Sequence, residues 1–312
     1  MDLELNEDQR AVHEAIVRMV SRHAYPPRDR AALKPSQWIY ADALERELEA
    51  GEFFSLALSP CYGALEAALL VYETGRSPFV VEAAGSALIG ALLCGRPLAR
   101  PVAVARLEDL PRGVRFLDRA KTIIIDLESD VMVVPVDHLD VESIHSMYAY
   151  PLGRVRKGVD VAKGRLLGAG AVSTLRKLWR TSLAVEAAAA MQAAVDFTAA
   201  YVKERHVFGR PVGSFQAVQH RLSIDAHKAR AAYWLALKAA WTGGEADAAT
   251  AALYAQESLT SVNYDAHQFN GALGMTLEHD LHFWTFRMRW LQGELAGARN
   301  QAAALAAFAW PS

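Results

Sequence analysis

The chain has 312 residues, 52% of them hydrophobic and 22% charged, with a formal net charge of -2. That composition excludes a disordered chain and gives no electrostatic reason to expect nucleic acid or an anionic membrane as a main partner. Cys61 and Cys94 are too few and too isolated for a disulfide framework or a structural zinc site, which fits a reducing, cytoplasmic interior.

The N-terminus, MDLELNEDQRAVHEAI, is acidic and amphipathic where a signal peptide is basic and then apolar. Asn6 is a candidate N-cap, with Val12, Ile16, Val17 and Val20 at helical spacing behind it and Pro26-Pro27 closing the element. A second helix is expected over Pro35 to Ala50, with Ser36 as its cap and Gly51 as its stop. Further helices fit Gly63 to Thr74 and Val81 to Leu93, ended by Gly75 and Gly95. The run Ala83 to Cys94 is too short to span a membrane, and the alanine-rich run after Leu183 is broken by Glu186 and Asp196. Residues 1–98 therefore read as an all-helical unit.

Between 99 and 168 the pattern shifts to short β-branched runs: Val102 to Val104, Val114 to Leu117, Thr122 to Ile125 and Val131 to Val136. Turn signals at Pro111-Arg112-Gly113, Asp126 to Asp130 and Pro151-Leu152-Gly153 separate them. A small antiparallel β module is expected, with too few strands to close a barrel. From 169 to 312 long helices return over Thr174–His206, Ser214–Trp241, Glu245–Gly271 and Glu278–Phe308, lengths that suit an antiparallel four-helix bundle. The fold class is mainly α with a small β module.

The stretch YVKERHVFGRPVGSFQAVQH, from Tyr201, is the most informative. Gly209 is a plausible C′ residue after a helix ending in cations, and Pro211 forbids continuation, which sets Arg205 and Phe208 at a rigid terminus. A guanidinium beside an aromatic ring suits a phosphate and a flat ring system, whereas any single arginine there is more simply a solvated cap.

With this order of elements, Arg205-His206-Val207-Phe208-Gly209 followed by Phe215-Gln216 resembles the R-x-x-F-G and F-Q motifs of the acyl-CoA dehydrogenase family. Gln268-Phe269-Asn270-Gly271-Ala272-Leu273-Gly274 resembles its Q-x-x-G-G-x-G turn, with Ala272 in place of the second glycine. The run from Met275, MTLEHDLHFWTFR, is similar to a branch of the family reading G-x-T-x-E-H-D-x-H. The resemblance implies an FAD enzyme that dehydrogenates acyl-CoA thioesters. It also implies that Arg205, Phe208, Gln216, Gln268, Gly271 and Ala272 contact FAD whose isoalloxazine lies in a neighbouring subunit.

Two family features are missing. The T-E-x-x-A-G-S-D and W-[IV]-[TS] segments that hold the flavin ring are absent between Arg100 and Leu167, so this chain is not expected to cradle an isoalloxazine by itself. No Y-E-G-T supplies the catalytic base; its place falls near Leu295, with Glu294 one residue away. An alternative family position lies before an arginine that looks like Arg180, where Trp179 stands; Glu294 and Glu186 remain as substitutes.

The resemblance thus implies a degenerate subunit of a heterotetramer, two plus two, of the steroid side-chain type. A catalytic acyl-CoA dehydrogenase partner would bind the acyl-CoA, and electron-transfer flavoprotein or a similar acceptor would take the electrons. The alternatives are a complete homomeric dehydrogenase with Glu294 as displaced base, and a non-enzymatic helical scaffold. His267, His279 and His282 lack a third firm metal ligand and read as structural or surface residues, and the tryptophans read as bundle core or interface.

Overall fold

The computed structural model describes residues 4–23 and 39–310; the expected Pro26-Pro27 stop and the Pro35-Ser36 helix start lie outside the described residues. Helix α1 (Glu7–Arg22) begins with a reciprocal capping box: Asn6 Oδ1 accepts from Gln9 N at 2.8 Å and Gln9 Oε1 accepts from Asn6 N at 3.0 Å. Helices α2 (Asp42–Ala50) and α3 (Ala64–Arg76) follow. Gly75 is not the terminator expected of it. It lies inside α3 because a methyl group there would come within 2.9 Å of the Ala189 Cβ on a packed neighbour.

The segment expected as a helix over Val81 to Leu93 forms a π-helical stretch, Ala84–Gly90, running into the short α4 (Ala91–Cys94), which Gly95 ends with a φ of 62°. Its distortion has a visible cause. The buried Glu82 carboxylate accepts from Gly85 N at 2.6 Å, from Val102 N at 3.0 Å and from the Ser86 hydroxyl. One side chain thus ties the helical layer to the first β-strand, and burial pushes its pKa up to about 7 against these hydrogen bonds.

The β module has seven short strands in two sheets: β1 (Val102–Arg106), β2 (Val114–Arg115), β3 (Thr122–Asp126), β4 (Val131–Pro135), β5 (Val141–Ile144), β6 (Leu152–Val155) and β7 (Arg165–Leu166). One sheet runs β1-β3-β4-β7 and the other β2-β6-β5. The module is not purely antiparallel as expected, because β1 and β3 pair in parallel. The intervening chain crosses to place β2 in the second sheet, a route the local pattern does not encode.

Four long stretches build the C-terminal bundle: α5 (Gly170–Glu204), α6 (Gln216–Thr242), α7 (Glu245–Gly274), and α8 (His282–Gly293) continued by α9 (Gly297–Ala309). The last pair was expected as one helix. It breaks where Leu295, Ala296 and Gly297 take φ values of 52°, 63° and 75°. By length and composition α5 could cross a membrane, contrary to the sequence expectation, yet 67% of its most apolar window is buried, as suits a core helix. N-terminal helices and bundle share one apolar core, while the β module keeps a smaller one of its own around Ile123, Ile125 and Met132.

Gly85 is the tightest point of this assembly, since a Cβ there would sit 2.2 Å from the Val102 carbonyl oxygen. Gly85→Ala is therefore expected to destabilise the fold by about 1–3 kcal/mol, measured by urea unfolding. An unchanged midpoint would show that the helix–strand junction yields freely.

Candidate active site

The residues expected to contact a cofactor lie at one end of the bundle. Helix α5 ends at Glu204 with Arg205 extended as its C-cap, and a hairpin of β8 (His206–Val207) and β9 (Arg210–Pro211) follows. Gly209 is consequently a hairpin-turn residue rather than a helix cap. Phe208 and Gly209 take φ values of 54° and 79°, the pair of left-handed conformations a tight two-residue turn requires. Phe208 is 92% exposed at the tip. Gln216, exposed, opens α6 directly after Phe215.

The second motif lies on α7. Gln268 and Ala272 are exposed, and Gly271 interrupts the helix with φ 60° and ψ -145°, a combination reserved in practice for glycine. Nothing lies within 4 Å of where its Cβ would be. The buried Asn270 fixes this turn: its Nδ2 donates to Thr198 Oγ1 on α5 at 2.9 Å, and its Oδ1 accepts from His279 Nε2 at 2.7 Å. His282 Nδ1 and His267 Nδ1 meet backbone carbonyls at 2.8 Å. The three histidines shape the chain around the turn.

Arg221 joins α6 to α7 beside these motifs, ion-pairing with Asp265 and lying 4.9 Å over the Phe269 ring. Behind it Asp225 is buried against Asp265, with Lys228 at 3.9 Å. Burial and the second carboxylate raise the Asp225 pKa to about 7.

Glu294 and Arg180 lie elsewhere, where the β module meets the bundle. Arg115 on β2 is buried there, donating to both Glu186 oxygens at 2.8 and 2.9 Å and to Glu294 Oε1 at 2.9 Å. Trp179 Nε1 also donates to Glu294 Oε1, at 2.6 Å, and the guanidinium stacks 4.9 Å from the Tyr150 ring centre. Burial works against the Arg115 charge, yet Glu186 and Glu294 hold its pKa well above the usual range. For Glu294, burial and the nearby Glu186 outweigh Arg115 and Trp179, so its pKa is raised. Arg180 Nε donates to Gln301 Oε1 at 2.8 Å, and burial followed by the neighbouring Arg176 lowers its pKa.

Glu294 is held in place by an over-determined loop. Gln256 Nε2 donates to the carbonyls of Leu291 at 2.8 Å and Glu294 at 2.9 Å, while Asn300 Nδ2 donates to that of Leu295 at 2.9 Å. The left-handed backbone at Leu295 and Ala296 costs about 1–2 kcal/mol per residue, and these side-chain anchors offset it. The sequence pattern did not single out Arg115; its one signal is a charge set within the apolar strand Val114-Arg115-Phe116-Leu117.

A cavity of about 290 Å³ lies over Arg115 and Glu294, between β1, β2 and the bundle. The ion-paired Arg115 forms the floor of this space. The bundle-end set has the chemistry to hold a dinucleotide: an exposed guanidinium, two exposed side-chain amides and an open glycine turn.

Residues 168–303 match the family model "Acyl-CoA dehydrogenase, C-terminal domain". The acyl-CoA dehydrogenase IpdE2 of Mycolicibacterium smegmatis is 28% identical over 296 residues, covering 90% of this chain and 92% of that protein. Among solved structures, the ChsE4–ChsE5 complex from Mycobacterium tuberculosis aligns with a TM-score of 0.83 at 20% identity over 100% of both chains. The Tcur3481–Tcur3483 steroid ACAD aligns with a TM-score of 0.79 at 23% identity, over 96% of this chain and 97% of that one.

Arg115→Met leaves two buried carboxylates without their cation, so a loss of about 3–5 kcal/mol is expected in denaturant unfolding at pH 7, shrinking in acid as both carboxylates protonate. A loss that does not change with pH would contradict the ionic account. Asp225 has a folded pKa raised above its unfolded value, so its stabilising contribution is complete below the unfolded pKa and is lost as pH rises through about 7. Asp225→Asn is accordingly expected to gain thermal stability over the parent as pH climbs from 4 to 8, about the range between the unfolded and folded pKa values.

Proposed function

We propose that this chain is an acyl-CoA dehydrogenase family protein and, within that family, the cofactor-completing subunit of a heteromeric enzyme. One observation carries the proposal. The bundle-end residues stand exposed as a set, while the cavity beside β1 and β2 is floored by Arg115, already paired with Glu186 and Glu294. Family members are FAD-dependent flavoproteins, and bound FAD supplies the hydride acceptor of α,β-dehydrogenation.

This chain's part in that reaction is binding and orientation. Arg205 offers two parallel N–H donors to a pyrophosphate, Gln216 and Gln268 read polar edges, and Gly271 lets the backbone approach closely. Ala272 adds only a methyl group on an exposed surface. The partner provides the ring pocket and the base that removes the proton α to the thioester carbonyl; electron-transfer flavoprotein or a similar acceptor reoxidises the complex. The likeness to a steroid ACAD supports a bulky polycyclic acyl-CoA as substrate.

A second reading rests on Glu294, a buried carboxylate of raised pKa presented by a strained loop beside a cavity. In that reading the chain is a complete homomeric dehydrogenase and Glu294 is the base. Purification of the chain alone and with its partner separates the two. The subunit reading expects FAD on the complex only, and Arg205→Ala lowering FAD affinity by about ten-fold or more, as loss of a charged hydrogen bond requires. Stoichiometric FAD on the isolated chain, with Glu294→Gln abolishing turnover and keeping the flavin colour, would establish the homomer instead.

A further inference from the structure

The cavity over Arg115 has an aromatic lining. Tyr148 and Trp290 stand at its wall with ring centroids 5.4 Å apart at 69°, an edge-to-face pair. Trp179 faces it from α5, its indole fixed by the hydrogen bond to Glu294. Trp290 is itself packed against the cluster of Tyr40, Phe116, Tyr150 and Leu152. The aromatic lining is therefore preorganised.

Charge is distributed unevenly over the same lining. At the floor the Arg115 guanidinium is committed to Glu294 and, behind the lining, to Glu186, which also faces the buried Arg287, and Glu294 Oε2 has no hydrogen-bond partner. Of the other arginines lining the cavity, Arg106 is spent on Asp109 and Glu108. Arg112 and Arg289 line it too, both exposed, and among the described residues neither has an ion-pair or side-chain hydrogen-bond partner. Arg112 is carried on a fixed turn in which its backbone N–H donates to the Asp109 carbonyl at 3.0 Å. The floor cation is thus already paired while the outer guanidiniums can attract an anion, which gives a bound molecule a direction: apolar end inward, anionic end outward.

From this geometry we propose that the cavity is a binding site for a small ring-bearing carboxylic acid. The ring packs against Trp179, Trp290 and Tyr148, and the carboxylate is held by Arg112 and Arg289. At about 290 Å³ the space lies at the lower edge of ligand pockets, which run from about 300 to 1,000 Å³, and suits one compact ring system rather than a dinucleotide or an extended thioester. The site is separate from the bundle-end surface and does not depend on FAD or on a partner subunit.

Isothermal titration calorimetry of the full chain with 2-naphthoate and its neutral counterpart 2-naphthamide tests this. Single-site binding is expected, with the carboxylate favoured over the amide by about ten-fold or more. The double substitution Arg112→Ala with Arg289→Ala, at two exposed positions that leave the core intact by circular dichroism, is expected to bring the two affinities within about two-fold of each other. Trp290→Ala is expected to weaken both ligands. No saturable binding, equal affinity for acid and amide in the parent, or a preference that survives the double substitution would each overturn the proposal. None of these outcomes bears on whether the chain completes a partner's FAD site.

Discussion

The buried guanidinium of Arg115 is the point on which the arrangement of this molecule turns. It comes from β2, its carboxylate partners from α5 and from the loop between α8 and α9, and among the described residues no other ion pair joins those three elements. Removing three charges from water is costly, and the mutual attraction recovers that cost only when geometry is good and remaining donors are used. Both conditions are met, by the two-pronged contact with Glu186 and by the Trp179 indole on Glu294. The β module is thereby held against the bundle at a fixed place, with the cavity over Arg115 between them.

The opposite end of the bundle follows a different logic. There the ligand-facing polar groups are exposed, and the contacts behind them set backbone shape: Asn270 with Thr198 and His279 around the Gly271 turn, Arg221 with Asp265 and the Phe269 ring between α6 and α7. The side chains that would meet a ligand are left unspent while the ones behind them are fully engaged. A surface built this way loses little entropy on binding.

What could be read in the sequence follows from the range of each interaction. The long helices are legible because their apolar spacing repeats over many turns, and the Asn6 cap because it is settled within three residues. The exposed motifs around Arg205 and Gln268 are contiguous, so they too could be recognised. Three features escaped because they depend on distant chain: Gly75 sits inside α3 on account of Ala189, the π-helical distortion depends on Glu82 reaching Val102, and β1 pairs with β3 across a crossover. Arg115 belongs to that group. Its partners lie 71 and 179 residues away, and no local pattern brings them together.

Left-handed backbone at ordinary residues divides the two sites further. At Leu295 and Ala296 the strain is answered within the chain, by Gln256, Asn300 and Gln301 on the loop carbonyls, and its product is the placement of Glu294. At Phe208 the same kind of strain produces an aromatic ring standing 92% exposed. A conformation that costs free energy and buries nothing in the chain itself is understandable if what it buries belongs to something else. The interdomain site and the bundle end thus differ in kind, the first carrying its own ion-paired floor and the second leaving its strained aromatic to solvent.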